Sequence, residues 1–548
     1  MTAKSHAGAA GLYAVLTVLM TWPLVTRLDL MEAGDSSYFA WAMAWTTRAL
    51  LHDPGSLPHA NTLAPLRHTL FLDEPIVATS ILSLPLRLVT SDPIVTLNVV
   101  RLLTFFLTAL GVRALGLTLG LSPLAAFAAG AWFSFASGRL ASPAHLSVLG
   151  TQFLPLYLLF LYRWTRGGTV RNAALAGLFF GLSAWACGYH ALLAAAILPV
   201  PILVLLEKPA FLKTAPAGLA VALLFLLPLQ ALHRAALAPL DYERTEAETA
   251  FFSTPLEGFF STSAANRIWG GTTERLRSIV EADFFPGVTI LLLAAFGLLR
   301  LRRAGSSRRA VLGFAALALC AALVAVGPEV RFMGAALGPG PFALLRDFEV
   351  FRMIRVPARA SVFFTLGCAV LAAFGLEQIR RPSFRVALVL VGLLEAFSAP
   401  LPVVAADRCL RAGDPAPAVY GWLAAQPMGG AVVELPILPN DGLFLRPRFD
   451  DSVYLLRSTT HWRPLVNGYA GTEPPEYART RELMKDFPSA ESIARLRALG
   501  VTHILLHLRG YGPNRRQAIE ARLPAFASDL RAAARFEDDL ALELTPAP

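Results

Sequence analysis

The feature that most constrains this chain is a succession of apolar stretches, each close to twenty residues, separated mostly by short polar loops. They fall near residues 10–28, 94–118, 122–138, 147–163, 171–188, 190–206, 214–232, 286–301, 309–327, 360–378 and 385–404. A helix needs about 20 apolar residues to cross a bilayer, and lipid leaves helices and closed barrels as the only spanning structures. Of 548 residues, 55% are hydrophobic and 16% charged; soluble domains carry about 25% charged residues. The expected fold is a polytopic α-helical membrane protein with about eleven spans. The fifth and sixth stretches also read as one re-entrant pair around Gly188-Tyr189-His190. The first stretch, about Leu12 to Leu28, lacks a small-residue cleavage site and is expected to remain as a span.

Alternate loops carry the basic residues: Arg163, Arg166 and Arg171; Lys208 and Lys213; Arg300, Arg302, Arg303, Arg308 and Arg309; Arg380, Arg381 and Arg385. Cytoplasmic loops are enriched in Lys and Arg, so the N-terminus is expected in the cytoplasm. The net charge of +10 therefore sets orientation, and nucleic acid is not the expected partner. The long loops then share the extracytoplasmic face: the first (29–93), a short one at 138–147, about 233–285, 328–359, and everything after about 404. Transporters place polar groups on broken helices at mid-membrane, and few ionisable residues lie in these stretches. The work is expected outside the cytoplasm.

The expected division is a multispan domain over 1–404, including the large first loop, and an extracytoplasmic domain over 405–548. In the tail, charge and proline return. Strand-like runs appear at Ala431–Leu435, Val501–His507 and Leu540–Leu544, with helical patterns at Pro417–Ala425, Glu491–Leu499 and Arg516–Ala534. That mixture predicts a small α/β domain. The four cysteines, Cys187, Cys320, Cys368 and Cys409, have neither metal-ligand spacing nor a disulfide framework.

Gly34-Asp35-Ser36-Ser37-Tyr38-Phe39-Ala40-Trp41 follows the first stretch directly. Tyr38, Trp41 and Trp45 share one helical side, with Asp35 in the first turn, which predicts a helix lying at the membrane–water boundary. Asp35 then serves either as a base towards a lipid-anchored substrate or as a plain N-cap. Asp73 and Glu74 precede the return to the membrane. Paired carboxylates divide base and orienting roles or share a divalent cation, and the alternative is that they start the next helix. His52, His59 and His68 lack zinc-site spacing. Arg139, in Ser137-Gly138-Arg139-Leu140-Ala141-Ser142-Pro143-Ala144-His145, sits on the face the orientation rule leaves poor in cations. It wants an anion such as a lipid phosphate, or else snorkels to the headgroups.

Arg352, Arg355 and Arg359 crowd one extracytoplasmic loop at helical spacing, with Pro357 interrupting. They suit a phosphate or pyrophosphate, with Arg355 expected to matter most; pairing with Asp347 and Glu349 is the alternative. Thr460-His461-Trp462-Arg463-Pro464-Leu465-Val466-Asn467-Gly468-Tyr469 suits stacking on sugars or packing the tail onto the rest of the chain. No hydrolase triad order, phosphate-cradling glycine loop or paired CxxC is present.

With these residues in view, the chain resembles the GT-C superfamily of integral membrane glycosyltransferases. The likeness rests on Gly34-Asp35, Thr69-Leu70 to Glu74, Arg139 to His145, Phe285-Pro286-Gly287, Phe351-Arg352 to Arg359, and Arg463 to Tyr469. It implies a sugar donor on a polyprenyl phosphate and an acceptor that is a glycan, lipid or protein. Asp35 would be the base and Glu74 its helper. Arg352, Arg355 and Arg359 would bind the donor phosphate, with Arg139 and His145 as further substrate ligands. No cofactor is required, although a divalent cation is a candidate. The location implied is a bacterial inner membrane. One departure is that Asp35 is followed by Ser36, where superfamily members such as the protein O-mannosyltransferases carry adjacent acids. The alternative is a non-catalytic assembly or lipid-handling protein whose tail binds a partner.

Overall fold

The computed structural model describes residues 3–32, 35–141, 143–240, 244–277, 283–301, 307–401, 409–411, 417–438 and 451–546. Gly34, Ser142, Arg302, Arg303 and the expected boundary at 404/405 lie outside the described residues. The chain packs as two compact units. One comprises Met1–Arg27, Val99–Leu229 and Glu243–Val403, and the other comprises Leu28–Asn98, Gln230–Tyr242 and Val404–Pro548. The first loop thus clusters with the tail, because its segments pair with tail residues as set out below.

In the first unit a helix falls on every expected apolar stretch. Pro357–Glu377 is the central one, 83% buried over its apolar window, whereas Ala210–Leu240 is only 17% buried. Helix Ser361–Glu377 packs on Val288–Leu299, Arg308–Ala325 and Pro123–Ser134. A helix apolar on all sides belongs in such a position, surrounded by other helices or by lipid. Starts are marked by proline or a side-chain cap: Ser122 accepts from the Ala125 N–H ahead of Pro123, and Thr169 accepts from the Asn172 N–H.

Among the described residues, five helices are long and apolar enough to cross a membrane: Pro93–Thr118, Leu146–Gly167, Ala210–Leu240, Arg308–Ala325 and Pro357–Glu377. Gly188–Ile197 and Pro199–Leu205 make a sixth if taken together, bent by 58°. These long helices number fewer than the eleven spans expected, and shorter apolar helices lie on other expected stretches. Helices Pro123–Ser134, Val288–Leu299 and Pro382–Glu395 have 12, 12 and 14 residues. Prolines open two of them, and the chain leaves the helix before the apolar run ends. The expected break between the fifth and sixth stretches falls at Cys187, extended between helices Val170–Ala186 and Gly188–Ile197 directly ahead of the Gly188-Tyr189-His190 triplet, and the bend after Ile197 is a second one. Hairpin β2 (Glu329–Phe332) and β3 (Ala335–Pro339) follows the Arg308–Ala325 helix.

In the second unit, β1 (Leu30–Glu32) pairs antiparallel with β4 (Cys409–Arg411). The main sheet has strand order β5-β6-β8-β7, with β5 (Ala431–Leu435) parallel to β6 (Val501–His507). β7 (Leu530–Phe536) and β8 (Asp539–Leu544) form a hairpin antiparallel to β6. Val419, Tyr420, Leu423, Val432, Tyr454, Leu465, Leu505 and Ala541 form its core. The expected helix over 516–534 is corrected. Helix Pro513–Arg522 ends ahead of Pro524, and the residues from Leu530 are strand β7.

The Asp35–His52 helix is also corrected. Instead of presenting an exposed aromatic side, it has twelve of its eighteen residues buried, Tyr38, Trp41 and Trp45 among them. The Trp41 Nε1–H donates to Asn61 Oδ1 (3.0 Å) and the Trp45 Nε1–H to the Leu57 carbonyl (3.1 Å). A buried indole with its N–H satisfied is a core residue.

Candidate functional site

Asp35 stands in the first turn of its helix, and its Oδ1 accepts a hydrogen bond from the Tyr469 hydroxyl at 2.6 Å. One turn on, Tyr38 packs against the Tyr469 ring at 5.9 Å between centroids. Burial, then the charges of Asp73, Glu74 and Asp35, hold the Tyr38 phenol well above its ordinary pKa. Asp35, Asp73 and Glu74 therefore all act on one neutral phenol. Asp73 accepts from the Glu74 N–H (2.8 Å) and from the Gly471 N–H (3.2 Å). Glu74 is buried, 8% exposed. Asp35 and Glu74 are thus gathered at Tyr38.

The tail segment Arg463–Tyr469 makes this arrangement. Leu465 N–H donates to the Asn61 carbonyl, Ala64 N–H to Leu465, and Leu63 N–H to Asn467. The Asn61 amide donates to the Arg463 carbonyl and to Ser458 Oγ, and Thr62 Oγ1 donates to the Asn467 carbonyl. Gly468 abuts Leu63 so closely that a Cβ would run into its side chain. Trp462 packs on Trp45 at 5.9 Å, with the Arg48 guanidinium 5.0 Å above its ring. These aromatics are engaged in packing the tail on the first loop. His59 and His68 also pack together (4.6 Å), with His59 Nδ1 accepting from the His68 N–H.

In the first unit the arginines separate. Residues 349–352 form one helical turn, and a 3-10 turn starts at Pro357, so Arg352, Arg355 and Arg359 do not share the expected helical face. Arg352 is exposed and its Nε–H donates to the Arg346 carbonyl (2.9 Å). Arg355, expected to lead, is paired with Glu248 at 2.7 Å and stacked 4.6 Å from the Phe252 ring. Its partner is neither Asp347 nor Glu349. Arg359 stacks on Tyr189 (4.4 Å) and lines a cavity.

That cavity is bordered by Gly138, Arg139, Leu149, Asp283, Arg359, Ser361 and Thr365 among others. Arg139 donates to the Ser134 carbonyl (3.1 Å), Thr151 Oγ1 (2.7 Å) and the Leu149 carbonyl (3.2 Å). It lies between the rings of Phe105 and Phe133. These acceptors are neutral, and burial lowers its pKa to about 9. Arg139 is thus buried, not snorkelled. Asp283 is paired with Arg277 at 2.7 Å, and burial raises its pKa to about 6 although Arg277 opposes the shift. His145, at the start of the 146–149 turn, is half-buried and is not among the residues bordering the cavity. Two expected residues, Arg139 and Arg359, are brought together; Arg352, Arg355 and His145 are not part of that group.

Sequence reasoning missed Asp283, Tyr189, Glu248 and the Tyr469 contact to Asp35. Asp283 had a signal: it immediately precedes Phe284-Phe285-Pro286-Gly287, as Asp73 and Glu74 precede Pro75. Among the described residues no group of three or more His, Cys, Asp or Glu side chains is placed to hold a metal ion. The described donor set therefore does not fit the candidate cation.

No family model and no curated protein matches the sequence. Solved structures do match. The arabinofuranosyltransferase AftD from Mycobacteria aligns with TM-score 0.60 at 15% identity, covering 100% of this chain and 40% of AftD. The Archaeoglobus fulgidus oligosaccharyltransferase aligns at 0.51 and 14%, covering 92% and 70%. ArnT from Cupriavidus metallidurans aligns at 0.51 and 12%, covering 99% of both chains. The chain thus spans two-fifths of AftD and nearly all of ArnT. At such identities the likeness is one of fold alone, shared with these three solved membrane-protein structures.

Proposed function

We propose that this protein is a membrane glycosyltransferase that moves a sugar from a polyprenyl-phosphate donor to an extracytoplasmic glycan, lipid or protein. The observation that carries the reading is the Asp35 carboxylate, at the first turn of the first-loop helix and held by the Tyr469 hydroxyl at 2.6 Å, in a chain of this fold. Asp35 takes the proton of the acceptor hydroxyl. The acceptor oxygen bonds to the anomeric carbon, and the bond from that carbon to the phosphate oxygen breaks with its electron pair passing to phosphate. Glu74 and Asp73 orient the base by fixing Tyr38 and the Gly471 backbone. Arg139 and Arg359 are read as ligands of the donor's phosphate, because a guanidinium binds phosphate oxygens in bidentate fashion.

The basic loops support eleven crossings with the N-terminus in the cytoplasm, in a bacterial inner membrane. They support an extracytoplasmic tail domain over 405–548 beside a multispan domain over 1–404. No step is routed through a metal.

The test is transfer by the purified full chain in lipid nanodiscs, with Asp35→Asn beside wild type. Loss of a general base costs about 10²–10⁴-fold, with membrane insertion unchanged. Full activity in Asp35→Asn would remove Asp35 from the mechanism. A deletion strain without any glycan defect, together with tail-dependent capture of a partner, would instead favour the assembly or lipid-handling reading.

A further inference from the structure

Asp283 borders the Arg139–Arg359 cavity, and its side chain is 1% exposed. Its Oδ2 takes the Arg277 guanidinium at 2.7 Å. Its Oδ1 is buried and has no hydrogen-bond partner among the described residues. Its main chain lies against Gly138, where a Cβ would meet the Asp283 carbonyl oxygen at 2.5 Å. A buried polar atom without a partner is costly, so a ligand that supplies one is favoured. We propose that Asp283 is itself a ligand of the donor's phosphodiester, binding in its protonated form and donating its O–H to a phosphate oxygen. This rests on the reading of the Arg139–Arg359 cavity as the donor-phosphate site.

The charges decide the protonation state. Arg277 is paired with Asp283, and Arg139 and Arg359 also border the cavity. A monoanionic phosphodiester bound beside Arg139 and Arg359 would place an oxyanion against the Asp283 carboxylate. Two oxyanions at contact need a shared proton. Burial already brings Asp283 to about 6, with Glu274 adding to the rise and Arg277 opposing it. About one-tenth of the carboxyls therefore carry a proton at pH 7, and an arriving anion draws the rest towards protonation. His190 is a further titratable group here, beside Glu274 and Tyr189: it is buried, both Arg139 and Arg359 act on it, and its Nδ1 has no partner among the described residues.

The experiment uses the full chain in zwitterionic nanodiscs. The probe is the methyl ester of farnesyl phosphate, a monoanion without a second ionisation. Calorimetry at pH 7 in buffers of different ionisation enthalpy should show uptake of close to one proton per probe bound. Affinity should weaken by about tenfold from pH 7 to pH 8 and level off below about pH 6. Asp283→Asn keeps a donor for phosphate and an acceptor for Arg277, so it should bind the probe with no proton uptake and a flat pH profile. Absence of uptake in wild type overturns the proposal without any variant. Uptake that persists in Asp283→Asn assigns the proton to His190 and equally overturns it. Unchanged probe binding in Arg359→Ala would instead sink the underlying reading of the cavity. Equal competition by phosphatidylglycerol would show that the site takes bulk lipid headgroups, not the carrier.

Discussion

Substituting Arg352, Arg355 and Arg359 singly to alanine separates the cavity from its neighbouring loop. Arg359 borders the cavity and lies 4.4 Å from the Tyr189 ring. One charge-assisted contact to phosphate is worth about 1.5–3 kcal/mol, so Arg359→Ala should weaken the donor roughly 10- to 150-fold. Arg359→Lys keeps a charge but loses the planar fork and much of the stacking on Tyr189, and should fall between wild type and alanine. Arg352 is exposed, with its Nε committed to the Arg346 carbonyl; Arg352→Ala should stay within about twofold of wild type. Arg355 and Glu248 are 31% and 23% exposed. Breaking that pair should cost about 1 kcal/mol of stability or less and leave donor affinity unchanged. The assay is a titration of polyprenyl-phosphate sugar in nanodiscs, with thermal unfolding as the parallel readout. Unchanged affinity in Arg359→Ala together with a loss in Arg352→Ala would refute the assignment and move the donor to the exposed loop.

Two further expectations concern the tail. Gly468→Ala drives a methyl into Leu63 and should destabilise the packing of the Arg463–Tyr469 segment by about 1–3 kcal/mol, read as a lower melting temperature and faster proteolysis of the tail. His507 is held between Glu434 (3.0 Å) and Asp539 (2.9 Å). Burial alone would lower it, but those hydrogen bonds outweigh burial and raise its pKa to about 9. A raised histidine stabilises fully below its unfolded pKa near 6.5 and loses that contribution as pH rises through about 9, up to roughly 3 kcal/mol. The melting temperature should therefore fall between pH 7 and 10, and His507→Gln should flatten that slope.

Much of the fold was legible because its signals are local. Each expected apolar run carries a helix, since a segment apolar enough for lipid must hydrogen-bond its backbone internally. Strands β5 and β6 matched their sequence patterns at both ends, because buried parallel strands read as continuous runs of branched residues. The 516–534 error arose from Leu530–Phe536, whose alanines and arginines suit a helix. Pairing with β8 overrode that propensity, and Pro524 was the local warning. The number of true crossings was less legible, since composition does not say where an apolar helix ends inside a hydrophobic run.

The site was legible only where one segment carried its own geometry. Asp35 and Tyr38 lie three residues apart on a helix, so the sequence itself sets their relation. Placing Tyr469 on Asp35 depends on backbone hydrogen bonds from residues 61–64 to the tail, roughly four hundred positions away in the sequence. The arginine loop shows the converse. Spacings of three and four imply a common face only while the helix lasts, and here it lasts through Arg352 and restarts at Pro357. Arg359 instead faces Arg139, from another loop, with Asp283 from a third. Each of these residues has modest meaning in its own segment. Their shared feature is a position at the end of an apolar stretch, and a cavity lined from three such ends is where a chain of this kind assembles charge that no single loop displays.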